Sequence, residues 1–148
     1  MDLGRLPVPP LSLSPEALPF WEACERRELV LPYCTGCRQF FLYPRTLCPG
    51  CGSRDVVWRP SAGRGELYTF CIQHSSRLPG FRDAGPFVTA IVELAEGPRL
   101  MTWLVGVPPE PESIRCGMAV EVVFADLPNG NVLPVFRPRS ETPIGSGE

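Results

Sequence analysis

The chain has 148 residues and a formal charge of −2, with 44% hydrophobic and 20% charged residues. Those are the proportions of a soluble globular protein, either one ordinary domain or a small module plus a small domain. A mildly acidic chain has no electrostatic reason to sit on nucleic acid or on an anionic membrane, and no stretch approaches the ~18 apolar residues of a membrane span.

Nineteen prolines and fourteen glycines argue for many short strands and turns and little long helix. Residues 1–13 read as an extended arm, Leu6-Pro7-Val8-Pro9-Pro10-Leu11, with polyproline character. Such an arm is either a disordered tail or a strap lying on a partner. Five prolines before Phe20 leave no apolar run for a secretory signal. A helical segment follows over 14–30. Ser14-Pro15-Glu16 predicts its start, with a hydroxyl N-cap, proline in the first turn and an acid near the positive dipole end. Pro19 either restarts or kinks it. Phe20, Trp21 and Cys24 then share one face, while Glu22, Glu25 and Arg26 take the other. Two large rings on so short a helix either cover the rest of the chain or face a partner subunit.

Residues 31–60, entered by a short strand at Leu29-Val30-Leu31, carry the clearest chemistry. Cys34-Thr35-Gly36-Cys37 and Cys48-Pro49-Gly50-Cys51 are two Cys-x-x-Cys pairs separated by ten residues. Four soft sulfur ligands in that arrangement suit a tetrahedral zinc ion, each pair gripping the metal from one tight turn. Gly36, Gly50 and Gly52 fit such turns through positive φ and close approach of amides to thiolates. The alternatives are two disulfides or four unrelated buried thiols. A site closed by four protein ligands has no open position for water or substrate, so the zinc reads as structural. Between the pairs, Phe40-Phe41-Leu42-Tyr43-Pro44-Arg45 is too apolar for an exposed hairpin, and something must cover it, either the neighbouring domain or another chain. Val56-Val57-Trp58 is the ribbon's last strand.

Over 61–139 the pattern changes to period two, predicting strands at Glu66–His74, Phe87–Leu94, Leu100–Val105, Val120–Phe124 and Val132–Phe136. Tyr68, Phe70 and Ile72 are placed on one face of the first. An Asn-Gly turn precedes the fifth strand, and the proline-rich 108–116 is expected to hold at most one short helical turn. Five strands at this spacing, with Gly63 and Gly65 flanking the first where it must bend, fit a small closed barrel of the OB type. The loop Ser75–Gly85 carries Arg77, Phe81 and Arg82; it is either a ligand-touching loop or a mobile surface loop. Residues 140–148 read as a flexible tail.

Catalytic signatures are missing. His74 is the single histidine, and three residues from Cys71 on a strand it points to the opposite face. No phosphate loop, nucleophile elbow or His-Glu metal motif occurs, and Glu66, Glu93 and Asp126 are scattered. Three cysteines left after the metal, Cys24, Cys71 and Cys116, argue for a reducing cytoplasm.

Taken together, the helix with Phe20-Trp21, the ribbon cysteines with Tyr43-Pro44-Arg45 between them, and Gly63-Arg64-Gly65 opening a barrel strand resemble one family over about residues 15–138. It is the acyl-CoA-associated family with a rubredoxin-like zinc ribbon and an OB-fold, known as domain of unknown function thirty-five. The resemblance implies a mainly β fold and a non-catalytic accessory subunit of a thiolase-fold enzyme, an acetyltransferase, an aldolase or a polyketide acyltransferase. Such a subunit docks on the enzyme as a hetero-oligomer and helps to form its acyl-CoA site. Aldolase relatives imply steroid or lipid side-chain degradation, and any hydratase would be a separate subunit here. On this reading Phe20, Trp21, Phe40 and Phe41 face the partner, and Arg64, Arg77 and Arg82 are candidates for the CoA phosphates. Two readings compete. A single-stranded nucleic-acid OB module would use Phe87, Trp103 and Arg99, and an electron-transfer protein would put iron in the thiolate site.

Overall fold

The computed structural model describes residues 11–79 and 81–140. Most of the arm placed at 1–13 and the tail placed at 140–148 lie outside the described residues. A 3-10 turn, Pro15–Ala17, runs into the helix α1, Leu18–Glu25, with Pro19 in its first turn, where a missing N–H costs nothing. The expected hydroxyl cap does not form. Ser14 is extended (φ −76°, ψ 150°), and its main-chain carbonyl, rather than its side chain, accepts the Ala17 N–H at 3.0 Å. At the other end Arg27 takes the left-handed position (φ 63°) that usually falls to glycine. Its guanidinium reaches both oxygens of Asp126 at 2.6 and 2.9 Å, tying the helix end to the barrel through an exposed pair.

Three short strands, β1 (Val30–Cys34), β2 (Gln39–Phe40) and β3 (Val56–Pro60), form an antiparallel ribbon in the order β2-β1-β3. The other five, β4 (Arg64–Gln73), β5 (Phe87–Leu94), β6 (Arg99–Leu104), β7 (Ala119–Asp126) and β8 (Val132–Pro138), close a barrel in the order β4-β5-β6-β8-β7. The architecture is therefore mainly β: one N-terminal helix, a four-cysteine ribbon and a five-stranded OB barrel. The proline-rich 108–116 holds a single 3-10 turn, Pro111–Ser113. Neighbouring barrel strands are antiparallel except β6 and β8, which run parallel and pair only at Leu104 with Phe136. On the N-terminal side of that point β6 and β8 are not paired.

One core runs through helix, ribbon and barrel. Phe20 and Cys24 of α1 and Leu31 of β1 belong to the same buried cluster as Leu67, Val92, Val120 and Phe136. A second, much smaller cluster at the ribbon tip holds only Cys34, Phe41 and Cys48 as buried members. The alternation read along β4 breaks where a bulge shifts the register between Leu67 and Thr69. The extra residue reverses which side chains face inward. Leu67 is fully buried, Tyr68 is turned out to solvent, and Phe70 and Ile72 pack against the core beyond the bulge.

Gly65 pairs with Leu94 and lies against β5 so closely that a Cβ there would meet the Glu93 carbonyl and approach Val92 Cγ1 at 2.9 Å. Because the obstacle is main chain, relief requires β5 itself to move. We expect Gly65→Ala to lose about 1–3 kcal/mol of stability, read as a lower urea midpoint at unchanged m; a midpoint equal to wild type would refute the packing argument.

Candidate functional site

The ribbon folds its two Cys-x-x-Cys turns against each other. Sγ atoms of Cys34 and Cys51 lie 3.6 Å apart, as do those of Cys37 and Cys48, and all four sulfurs fall within 4.8 Å of one another. A tetrahedral ion with metal–sulfur bonds of ~2.3 Å has sulfur–sulfur edges of about 3.8 Å, so the donor set fits such an ion. Main-chain amides are aimed at the sulfurs: Cys37 N–H donates to Cys34 Sγ at 3.5 Å, and Gly50 N–H to Cys48 Sγ at 3.3 Å. At Cys48 burial raises the thiol, but the amides of Cys51 and Gly50 outweigh it and bring the group below its ordinary range.

The residue following each pair, Arg38 (φ 60°) and Gly52 (φ 74°), takes the left-handed conformation. Positive φ does not extend to Gly36 or Gly50. A Cβ at Gly36 would stand 3.5 Å from Cys34 Sγ and one at Gly50 would stand 3.7 Å from Cys48 Sγ, ordinary contacts that do not require glycine. Thr35 locks the first turn to the last strand, its N–H and hydroxyl donating to the Asp55 carbonyl at 2.9 and 3.1 Å. The remaining cysteines stand apart. Cys24 is buried in the main core, and burial pushes its thiol up to about 12. Cys71 is exposed and is approached at 3.5 Å by Gln73 Nε2 rather than by His74.

The four aromatic residues expected to face a partner divide. Phe20 is 6% exposed and Phe41 7%, so both are taken up inside this chain, Phe20 in the main core and Phe41 against Cys34 and Cys48. Phe40 is half-buried and stacks edge-on against Tyr33 at 4.8 Å. Trp21 is half-buried and lines an apolar groove of about 480 Å³. The groove lies where β6 and β8 part, under α1 and the ribbon segment Leu42-Tyr43-Pro44, and among the described residues no charged one lines it. Tyr43 spans ribbon and barrel there, its hydroxyl accepting the Met101 N–H at 3.2 Å.

Sequence reasoning missed Tyr43 and Met101 as surface features. The signal was present for Met101, an apolar residue on the outward phase of β6 that is 62% exposed.

The three candidate arginines are not brought together. Arg64 opens β4, whereas Arg77 and Arg82 lie in the loop after its far end. The ten-residue strand lies between them, a span of up to about 30 Å at ~3.3 Å per residue. That loop folds back through Phe81, whose ring meets Phe87 at 5.6 Å and Trp103 at 6.0 Å. The platforms a nucleic-acid reading would need are thus packed on a third ring. Arg99 is likewise engaged, lying 3.6 Å over the Tyr68 ring and bonded to Glu93 at 2.8 Å.

Comparison with known proteins agrees with this layout. Residues 21–57 match the rubredoxin-like zinc ribbon domain of ChsH2, and residues 58–125 match the C-terminal OB-fold domain of ChsH2. A probable enoyl-CoA hydratase alpha subunit of Thermomonospora curvata is 40% identical over 120 residues, 80% of this chain but 36% of that one. The chain therefore spans about a third of that relative's length. A DUF35 domain-containing scaffold protein of Methanocaldococcus jannaschii is 33% identical over 101 residues, 68% of this chain and 70% of that one. Among solved structures, a chain of an Ltp2-ChsH2(DUF35) aldolase superposes with a TM-score of 0.77 at 36% identity, covering 87% of this chain and 98% of that chain. With ribbon, barrel and sulfur cluster all in place, the chain belongs to the DUF35 family, built of a rubredoxin-like zinc ribbon and an OB-fold domain.

Proposed function

We propose that this chain is a non-catalytic accessory subunit that binds a thiolase-like enzyme, an acetyltransferase or aldolase, and helps to form its acyl-CoA site. Degradation of a steroid or lipid side chain is the setting that the aldolase resemblance favours. One observation carries the reading: a chain of an Ltp2-ChsH2(DUF35) aldolase is matched over 98% of that chain and 87% of this one at 36% identity. Hydration is not carried over from the hydratase relative, since this chain spans only 36% of it. Arg77 and Arg82, beyond the end of β4, and Arg64, at its start, are the candidates for the CoA phosphates through charge-assisted hydrogen bonds. A reducing compartment such as the cytoplasm is the setting that suits the three cysteines outside the sulfur cluster, Cys24, Cys71 and Cys116.

The side chains support a role without chemistry of its own. Glu93 is paired with Arg99 and Asp126 with Arg27, in two exposed ion pairs at separate places on the barrel. Zinc, held by Cys34, Cys37, Cys48 and Cys51, is the ion this thiolate set and ribbon favour. With four protein ligands no coordination position is left for substrate. Its contribution is to fold the ribbon, on the order of 10–16 kcal/mol in small zinc peptides.

Elemental analysis should find one zinc per chain, and the purified protein should be colourless. A red, iron-loaded protein would revive electron transfer. Serine at any of the four ligand positions should remove the metal, whereas Cys71→Ser and Cys116→Ser should retain it.

Co-expressed with a thiolase-fold candidate from the same genome, the chain should co-purify as a hetero-oligomer. Alone it should turn over no thioester. Cys37→Ser should abolish the association by disordering the ribbon. Thioester turnover by the isolated chain would end the accessory reading, as would failure of the wild-type pair to associate.

A further inference from the structure

We propose that the groove between β6 and β8 is the seat of the thiolase-like subunit, and that this subunit fills it with uncharged, apolar side chains. The inference rests on the accessory-subunit reading and names the surface through which it operates.

The lining has the composition of an interface core. Trp21, Tyr43, Met101 and Trp103 are among its residues, and none of the fifteen is charged, although a fifth of the chain is. Protein interfaces are depleted of charge at their centres and enriched there in Trp, Tyr and Met. At about 480 Å³ the groove could also hold a small molecule. What decides between the two occupants is the rim. Tyr43 is 53% and Met101 62% exposed although both line the groove. A small ligand seated between them would leave that apolar surface in water, whereas a protein face covers groove and rim together.

The seat is also rigid before binding. Thr102 Oγ1 donates to the Pro134 carbonyl at 3.0 Å across the floor, and the Tyr43–Met101 hydrogen bond fixes the ribbon wall against β6. Such preorganisation reduces the ordering cost of association. Because Tyr43 lies between the two cysteine pairs, one wall of the seat depends on the sulfur cluster. Metal loss and loss of docking are thereby linked through a named contact.

The test compares affinity for the thiolase-fold protein that co-purifies with wild type among wild type, Met101→Asp and Val57→Asp, with metal content and circular dichroism confirming that each is folded. Val57 is 41% exposed on β3 and does not line the groove. Met101→Asp should weaken binding at least about thirtyfold, the scale of an interface hot spot, and Val57→Asp by less than threefold. Equal binding by Met101→Asp, or loss with Val57→Asp instead, would overturn the groove assignment while leaving the accessory reading intact. No binding by wild type would sink both. A parallel titration of the isolated chain with decanoyl-CoA, followed by the fluorescence of Trp21 and Trp103, should show no saturable change. Saturable quenching lost in Met101→Asp would make the groove a small-molecule pocket and overturn the proposal.

Discussion

The convergence of four cysteine sulfurs within 4.8 Å is the constraint on which the ribbon tip depends. Apart from it, the tip has a buried cluster of Cys34, Phe41 and Cys48, two of which are themselves metal-ligating types. So small a cluster cannot offset the conformational entropy of the irregular segment from Phe41 to Asp55. The base of the ribbon is different. Leu29 and Leu31 are shared with the barrel core, so this part is anchored by burial and needs no metal. Stability is therefore graded along the ribbon, from apolar packing at the barrel to coordination at the tip. The segment that carries Tyr43 hangs between these two regimes.

Much of this was legible in the sequence, for reasons that can be named. The doubled Cys-x-x-Cys spacing specifies a four-sulfur site because a tight turn is the geometry that brings two sulfurs of one pair onto one ion. Strands β5 to β8 follow from period-two alternation between turn signals, and the observed bounds differ from the expected ones by a residue or two. The bulge in β4 was not legible. One inserted residue reverses the phase of the side chains without altering composition, so Tyr68 reads as sharing a face with Phe70 and Ile72 until the pairing with β5 is known.

The four cysteines were legible as a set, whereas the surroundings of the aromatic and arginine candidates were not. Phe20 and Phe41 are large and apolar, and hydrophobicity alone says that they must be covered, not by what. Both are covered by this chain. Arg64 and the Arg77–Arg82 loop are close in sequence, yet an extended strand of ten residues lies between them, and extended backbone carries its ends farther apart than any other conformation of the same length. Phe81 was visible only as a member of a long loop; its stacking on Phe87 and Trp103 depends on β5 and β6 lying side by side.

The groove shows what sequence order conceals. Its walls come from α1, from the segment between the cysteine pairs, and from β6 and β8, so no local motif encodes it. It exists because a five-stranded barrel of this topology closes through one parallel pair, and β6 and β8 meet at a single position before parting. In a lone barrel that gap would expose main chain and core to water. Here the helix and the ribbon lie over it and cover it only in part, leaving Trp21, Tyr43 and Met101 at the surface. The ribbon and helix are thus best understood as a partial lid on the weakest seam of the barrel. Apolar surface left uncovered at such a seam is disfavoured in a protein that works alone, and it is what a subunit completed by another protein would retain.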